Sequence, residues 1–399
     1  MRDRIFSFLG LRRNLTLVLA ANLVIAAGEE TWSRFLPKYL ETLGASVAVI
    51  GLFDAIKTIL GAVYAYPGGA LADRWGNRRS LILFHLLSVA GYCILLIWPH
   101  WIAVIAGMFL FLAWSNLSLP ALFSMVAANL PPSQHGMGIA VQSIVRRIPV
   151  LIGPIAGGIL IDRFGMLEGV RIGLQISIVC GVASVGFQLR IAEAPPAKPG
   201  GLDRLPEILR SFSPALRRLL ISDILVRYCE RIPFAWVVIY AMDFGHASAS
   251  QVGILVAIEM AVAIASYLPT AHYSDRHGRE PFVVVTFLFF TLFPIALWAA
   301  GGFWGLALAF AVRGLKEFGD PARKALILQH APPDARGRVV GAYYLVRDLI
   351  VSTGAFAGAA LWAWSPEANF AGATLLGVAG TAFYGLSLRR APLDARHME

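Results

Sequence analysis

Gly69-Ala70-Leu71-Ala72-Asp73-Arg74-Trp75-Gly76-Asn77-Arg78-Arg79-Ser80-Leu81 joins two apolar runs. Gly69 and Gly76 permit a close helix approach and a tight turn. One acid and three arginines gather where the apolar run stops, as charge does at a membrane boundary. The pattern returns as Asp275-Arg276-His277-Gly278-Arg279, at an offset of 202 residues. Val49-Ile50-Gly51 returns as Gln251-Val252-Gly253 at the same offset. Further on the offset is 201: Pro120-Ala121 with Pro321-Ala322, Gly136 with Gly337, Arg146 with Arg347, and Gly153 and Gly157 with Gly354 and Gly358. One register held this far means a duplicated chain.

Composition says what is duplicated. The 399 residues are 57% apolar and 15% charged, with a mean hydropathy of +0.67. A soluble protein of this size cannot hide that much apolar surface, and a disordered chain would not carry it. A helix needs about 20 residues to cross the hydrocarbon. Twelve apolar segments are expected, at about 14–41, 46–72, 79–98, 101–129, 134–163, 167–190, 214–241, 248–273, 281–300, 303–330, 335–364 and 367–388. The expected fold is an all-α membrane protein with twelve transmembrane helices in two pseudo-symmetric six-helix bundles. Its domains are read as residues 1–190, a cytoplasmic linker at 191–213, and residues 214–399. The linker carries Pro195, Pro196, Pro199, Gly200 and Gly201, then an amphipathic piece suited to the membrane surface. Cys93, Cys180 and Cys229 lie inside apolar runs without metal-ligand spacing and read as small core residues.

Cations set the orientation. With both termini cytoplasmic, the loops on that side hold 20 Lys and Arg, and the other side holds Lys38, Arg163 and Arg171. The formal net charge of +10 is explained by this bias and does not call for nucleic acid. No cleavable leader is expected at the amino terminus, because the apolar run from Leu15 lacks a cleavage site. The place expected is a bacterial cytoplasmic (inner) membrane.

The loop at 69–81, with the duplication and the twelve segments, resembles the major facilitator superfamily, whose signature loop reads G-x-L-a-D-r-x-G-r-k-x-x-l. Asn77 departs from it. The resemblance implies gating by Gly69, Asp73, Arg74, Gly76 and Arg78, with Asp73 facing the start of span eleven near Asp334 to Gly337, where the helix dipole favours an anion. The second copy implies the same for Asp275, Arg276 and Gly278, although Ala271 replaces its first glycine. Gly153-Pro154-Ile155-Ala156-Gly157-Gly158 is similar to a helix-packing motif of the drug and metabolite antiporter branch, with Pro149 in place of its leading glycine. The helix-four arginine common in that branch is absent; Leu112 stands where the repeat has Arg313.

Charge inside the spans is the most informative feature. Nine acids (Glu29, Glu30, Asp54, Asp223, Glu230, Glu259, Glu317, Asp320, Asp348) and nine bases (Arg34, Lys57, Arg146, Arg147, Arg227, Arg231, Arg313, Lys316, Arg347) fall there. Facing lipid, each costs about 2.5 kcal/mol or more at the bilayer centre. They must pair or line a wet path. Helical spacing favours Glu30–Arg34, Asp54–Lys57, Asp223–Arg227, Arg227–Glu230, Arg313–Glu317, Lys316–Asp320 and Asp320–Lys324. The repeat also sets Lys57 opposite Glu259 and Arg147 opposite Asp348.

Proton-coupling candidates are Glu29, Glu30, Asp54, Glu230, Glu259, Glu317 and Asp320, since a buried acid changes its proton affinity when its partner moves. Arg34, Lys57, Arg146, Arg147, Arg231, Arg313, Lys316 and Arg347 are candidates to hold an anionic substrate group, with Trp32 lining the cavity. No nucleotide loop, nucleophile elbow or zincin motif occurs, so neither an ATP-driven pump of that kind nor an enzyme is expected, and no cofactor or metal. The expected activity is proton-coupled export of a small charged or zwitterionic organic solute by alternating access, by a monomer in contact with lipid. Uptake of a nutrient or organic anion is the alternative. A lipid-translocating or non-transporting sensor protein is a second one.

Overall fold

A computed structural model describes residues 13–118, 125, 135–192, 205–330 and 336–395. It leaves aside the side chains of 65, 66, 73, 135–144, 205, 267, 268, 271, 272, 275, 277, 336–338 and 389–395. The helices are α1 (Arg13–Glu29), α2 (Leu36–Thr42), α3 (Val47–Trp75), α4 (Asn77–Ile97), α5 (Trp101–Phe111), α6 (Ala113–Asn116) and α7 (His135–Gln188). They continue as α8 (Leu205–Arg210), α9 (Pro214–Phe234), α10 (Trp236–Asp243), α11 (Ala249–His277), α12 (Glu280–Trp298), α13 (Gly302–Leu315), α14 (Asp320–Gln329), α15 (Arg336–Ser352), α16 (Gly354–Trp364) and α17 (Pro366–Ala395). Helices are the form in which a lipid-embedded backbone satisfies its own polar groups.

Seven of these stretches are long and apolar enough to cross a membrane, and an eighth if α1 and the bent segment Ser33–Thr42 are one span. The remaining expected spans, four, seven and ten, are helical over most of their described residues but are interrupted or charged. α9 carries Asp223, Arg227, Glu230 and Arg231, while α13 stops at Leu315 and α14 begins only at Asp320. In spans seven and ten the departures from a plain apolar helix coincide with the embedded charge. α7 contains two spans, because Gly165 takes φ 81° and turns the chain.

The chain divides into two compact units. One holds Met1–Ala45, Leu60–Gly200 and Ser248–Ala257; the other holds Ser46–Ile59, Gly201–Ala247 and Ile258–Glu399. α3 and α11 each run from one unit into the other. In the first unit α1 and α4 pack on α7, and α4 packs on α5. In the second, α9 and α12 pack on α17, and α12 packs on α13. These are the same pairings, displaced by one repeat.

The glycines make that equivalence atomic. A Cβ at Gly157 would overlap the Thr31 carbonyl; one at Gly358, 201 residues on, would overlap that of Ile232. Gly153 sits against Glu30, and Gly354 against Tyr228 and Arg231. Gly253 abuts the Pro154 carbonyl, and Gly51 comes within 3.2 Å of that of Ala355, measured from an ideal Cβ. The turns after the second and eighth spans match too, with φ 84° at Gly76 and 90° at Gly278, a region that favours glycine.

Gly157→Val forces a branched side chain into a backbone contact, and overpacking of this kind costs about 1–3 kcal/mol. We expect its thermal midpoint in detergent to fall by several degrees. Gly186→Val, which meets nothing within 4 Å, leaves it unchanged. Fluorescence-detected size exclusion after heating distinguishes the two.

Candidate functional site

In the second unit most of the embedded charges form one connected network, with Asp54 and Arg231 as a separate pair. Asp223, 1% exposed, is its hub. It accepts from Arg323 at 2.5 and 2.7 Å, from the Tyr343 hydroxyl at 3.1 Å and from Arg347 at 3.4 Å, with Arg227 at 3.8 Å. Arg323 also binds Asp320, which pairs with Lys324 at 2.7 Å. Arg227 passes from Asp223 to Glu230, at 2.8 Å. Glu230 receives Lys316 at 2.7 Å, and Lys316 reaches Glu259 at 3.3 Å. Arg313 completes the chain at 3.3 Å from Glu259. Arg347 also pairs with Asp348. Asp54, 3% exposed, accepts two bonds from Arg231 at 2.8 and 3.0 Å.

Aromatic faces cover the cations where carboxylates do not. Arg313 lies over Phe293 at 5.1 Å and near Phe234 and Phe310. Arg227 lies over Phe290, Arg231 over Phe234 and Arg347 over Tyr344. A ring quadrupole supplies part of the solvation that water would give. The break in span ten places Lys316 at the end of α13, where it spans two acids from different helices. Glu317 lies half-buried beside it.

The first unit is built differently. Glu29, at the end of α1, accepts from the Tyr92 hydroxyl and, at 2.6 Å, from the Trp114 indole. Both donors are neutral. The Ser88 hydroxyl, from α4, accepts from the Trp114 backbone amide at 2.9 Å. Trp32 is fully buried; its indole donates to Ser177 at 2.9 Å and its ring stands edge-on to Tyr92 and Phe111. Glu30 pairs with Arg34 at 3.0 Å. Arg146 is exposed and Arg147 half-buried on α7, about two turns before Gly153.

The local pairs expected from spacing are present for Glu30–Arg34, Asp223–Arg227, Arg227–Glu230 and Asp320–Lys324. Contacts between helices join them. Arg313 and Lys316 reach across to Glu259 and Glu230, and Asp54 reaches Arg231. Lys57 is half-buried one turn along α3 from Asp54. Arg323, Tyr343, Tyr92 and Trp114 join the site without being among the expected residues. For Arg323 a signal exists, its three-residue spacing from Asp320; for the aromatic donors there is none, since apolar spans are rich in such rings.

In the signature loop, Arg74 and Arg276 are exposed, Gly69 and Arg78 half-buried, and Gly76 and Gly278 make the turns. The side chains of Asp73 and Asp275 and the residues at 331–335 lie outside the described residues, and so does the expected contact of Asp73 with span eleven. In the packing motif, Gly153 and Gly157 meet span one, while Pro154 and Gly158 meet α11.

The sequence pattern of the Major Facilitator Superfamily matches residues 18–246 and 225–397. The chain belongs to that superfamily. It is 24% identical over 396 residues to the multidrug resistance protein MdtG of Enterobacter lignolyticus (strain SCF1), covering 95% of this chain and 93% of that one. It is 25% identical over 361 residues to MdtG of Salmonella typhi, covering 88% and 89%. Among solved structures it superposes on a POT family transporter with a thioalcohol-conjugated peptide, at TM-score 0.79 and 13% identity, covering 95% and 96%. It superposes on a point mutant of the nucleoside transporter NupG at TM-score 0.75 and 16% identity, covering 93% and 100%. These likenesses establish the fold. The protein is a multi-pass membrane transporter of this superfamily.

Removing one member of a buried pair strands the other. Arg323→Gln leaves Asp223 short of its closest partner and is expected to cost about 3–5 kcal/mol. Lys324→Gln, on a side chain 51% exposed, is expected to cost under about 1 kcal/mol. Thermal midpoints of the purified variants measure the contrast.

Proposed function

We propose that the protein exports a small organic solute, charged or zwitterionic, in exchange for protons, by alternating access between its two repeats. The observation that carries this reading is the contrast between Glu29 and Glu230. Gly157 against Thr31 and Gly358 against Ile232 set them at equivalent positions, 201 residues apart. Glu230 is clamped by Lys316 and Arg227. Glu29 is bound by a phenol and an indole. A phenol donates to a carboxylate and accepts from a carboxylic acid, so Tyr92 serves Glu29 in either protonation state. Equivalent acids in unlike environments divide labour, one titrating while its counterpart stays fixed as an ion.

The export direction is supported by relatives named for multidrug resistance. A charged solute is supported by the three guanidinium groups of Arg34, Arg146 and Arg147, carried by spans one and five. The membrane is proposed to be a bacterial inner membrane, with both termini cytoplasmic, from the cation bias of the loops. The working unit is proposed to be a monomer. In this scheme, the solute and the proton bind in turn to a site opened to one side and then to the other.

The test is solute flux in proteoliposomes with and without an imposed pH gradient, using anionic, zwitterionic and cationic solutes. The wild type is expected to accumulate solute against its gradient when protons flow the opposite way. Glu29→Gln is expected to abolish that accumulation while sparing solute counterflow. Flux in the same direction as protons would favour uptake. Proton-driven accumulation retained in Glu29→Gln would overturn the coupling role of this acid.

A further inference from the structure

Asp162 lies near the end of span five, outside every role assigned above. Its two carboxylate oxygens accept from the backbone amides of Ala249 and Ser250, at 2.8 and 2.9 Å. These are the first two residues of α11, whose amides have no partner within the helix. Ser248 precedes them and forms a reciprocal cap with Gln251: the Ser248 amide donates to the Gln251 side chain at 2.9 Å, and the Gln251 amide to the Ser248 hydroxyl at 3.3 Å. The amino end of α11 is therefore held twice, once by its own cap and once by an acid from another span.

The backbones beneath this bond are in contact. Gly158 lies against the Ala249 carbonyl and Ser250, and Gly253 against Pro154 and Ile155. Two glycines, one on each helix, let spans five and eight meet without intervening side chains. The Asp162 bond adds a directional, charged contact to that close backbone approach.

The second repeat lacks this device. Its glycine contact survives at Gly51 against Ala355 and Ala359. The residue equivalent to Asp162 is Ala363, and the start of α3 has Ser46 as its cap, bonded to the Val49 amide at 3.4 Å. One of two otherwise matched helix contacts carries a charged clasp.

We propose that Asp162 and the amino end of α11 form a latch that holds spans five and eight together on the cation-poor side of the membrane. The latch must release before the site opens to that side, and its one-sidedness makes release of span eight, rather than of span two, the controlled step. The bond joins a carboxylate to two amides at the positive end of a helix dipole, so it breaks as a unit when α11 withdraws.

Spin labels at Arg163→Cys and Ile254→Cys report the separation by pulsed electron resonance in lipid nanodiscs. No substrate or proton gradient is involved, so the result is independent of the transport reading. The Asp162 background is expected to show a dominant short distance. Asp162→Ala is expected to lower the ratio of short to long distances by about fivefold, the scale of losing a cap together with a dipole contact. Asp162→Asn keeps one accepting oxygen without the charge and is expected to fall between; it serves if the alanine variant does not fold. Gln251→Ala, which removes the acceptor of the Ser248 amide in the helix's own cap, is expected to leave most of the short population. An unchanged distance distribution in folded Asp162→Ala or Asp162→Asn would overturn the latch. So would a loss in Gln251→Ala as large as in Asp162→Ala.

Discussion

A charge at bilayer depth has no water to fall back on, and this constraint organises the molecule. Every ionised group carried by a span must find its solvation inside the protein. In the second unit the solution is collective. Asp223 is surrounded by three arginines and a phenol, and Lys316 serves two acids at once. Most members of such a network are held by more than one partner, which those of an isolated pair are not. The aromatic faces above Arg227, Arg231, Arg313 and Arg347 add to these partners.

The two repeats share a scaffold and divide the chemistry. Their backbones meet at equivalent glycines, so the scaffold is duplicated contact by contact. Their polar groups are not. Arg323 is matched in the first repeat by Leu122, Asp223 by Asn22 and Arg313 by Leu112. In the first unit Glu29 accepts from Tyr92 and Trp114, and in the second Glu230 pairs with Lys316 and Arg227. The frame is symmetric and the charge placed on it is not.

Much of this was legible in the sequence where the chemistry is local. The duplication, the helical class and the turns at Gly76 and Gly278 follow from spacing and glycine. Glu30–Arg34 and Asp320–Lys324 follow from helix periodicity, since residues four apart share a face. Contacts made between helices were not legible. Nothing local connects Asp54 with Arg231, or Lys316 with Glu259, because the partner is chosen by which faces the packing brings together. The Asp162 clasp stayed hidden for the same reason, as its partners are backbone amides without a side-chain signature. Tyr92 and Trp114 read as ordinary span aromatics until Glu29 is found between them.

The central claim is that ions within the spans are held by one another. A double-mutant cycle on Asp223 and Arg323 tests it most directly, with unfolding free energies measured for Asp223→Asn, Arg323→Gln and the double variant. Mutual solvation predicts that the double variant is more stable than Arg323→Gln alone, with a coupling of about 2 kcal/mol or more. Additive losses would mean that each group is solvated independently, and would contradict the account.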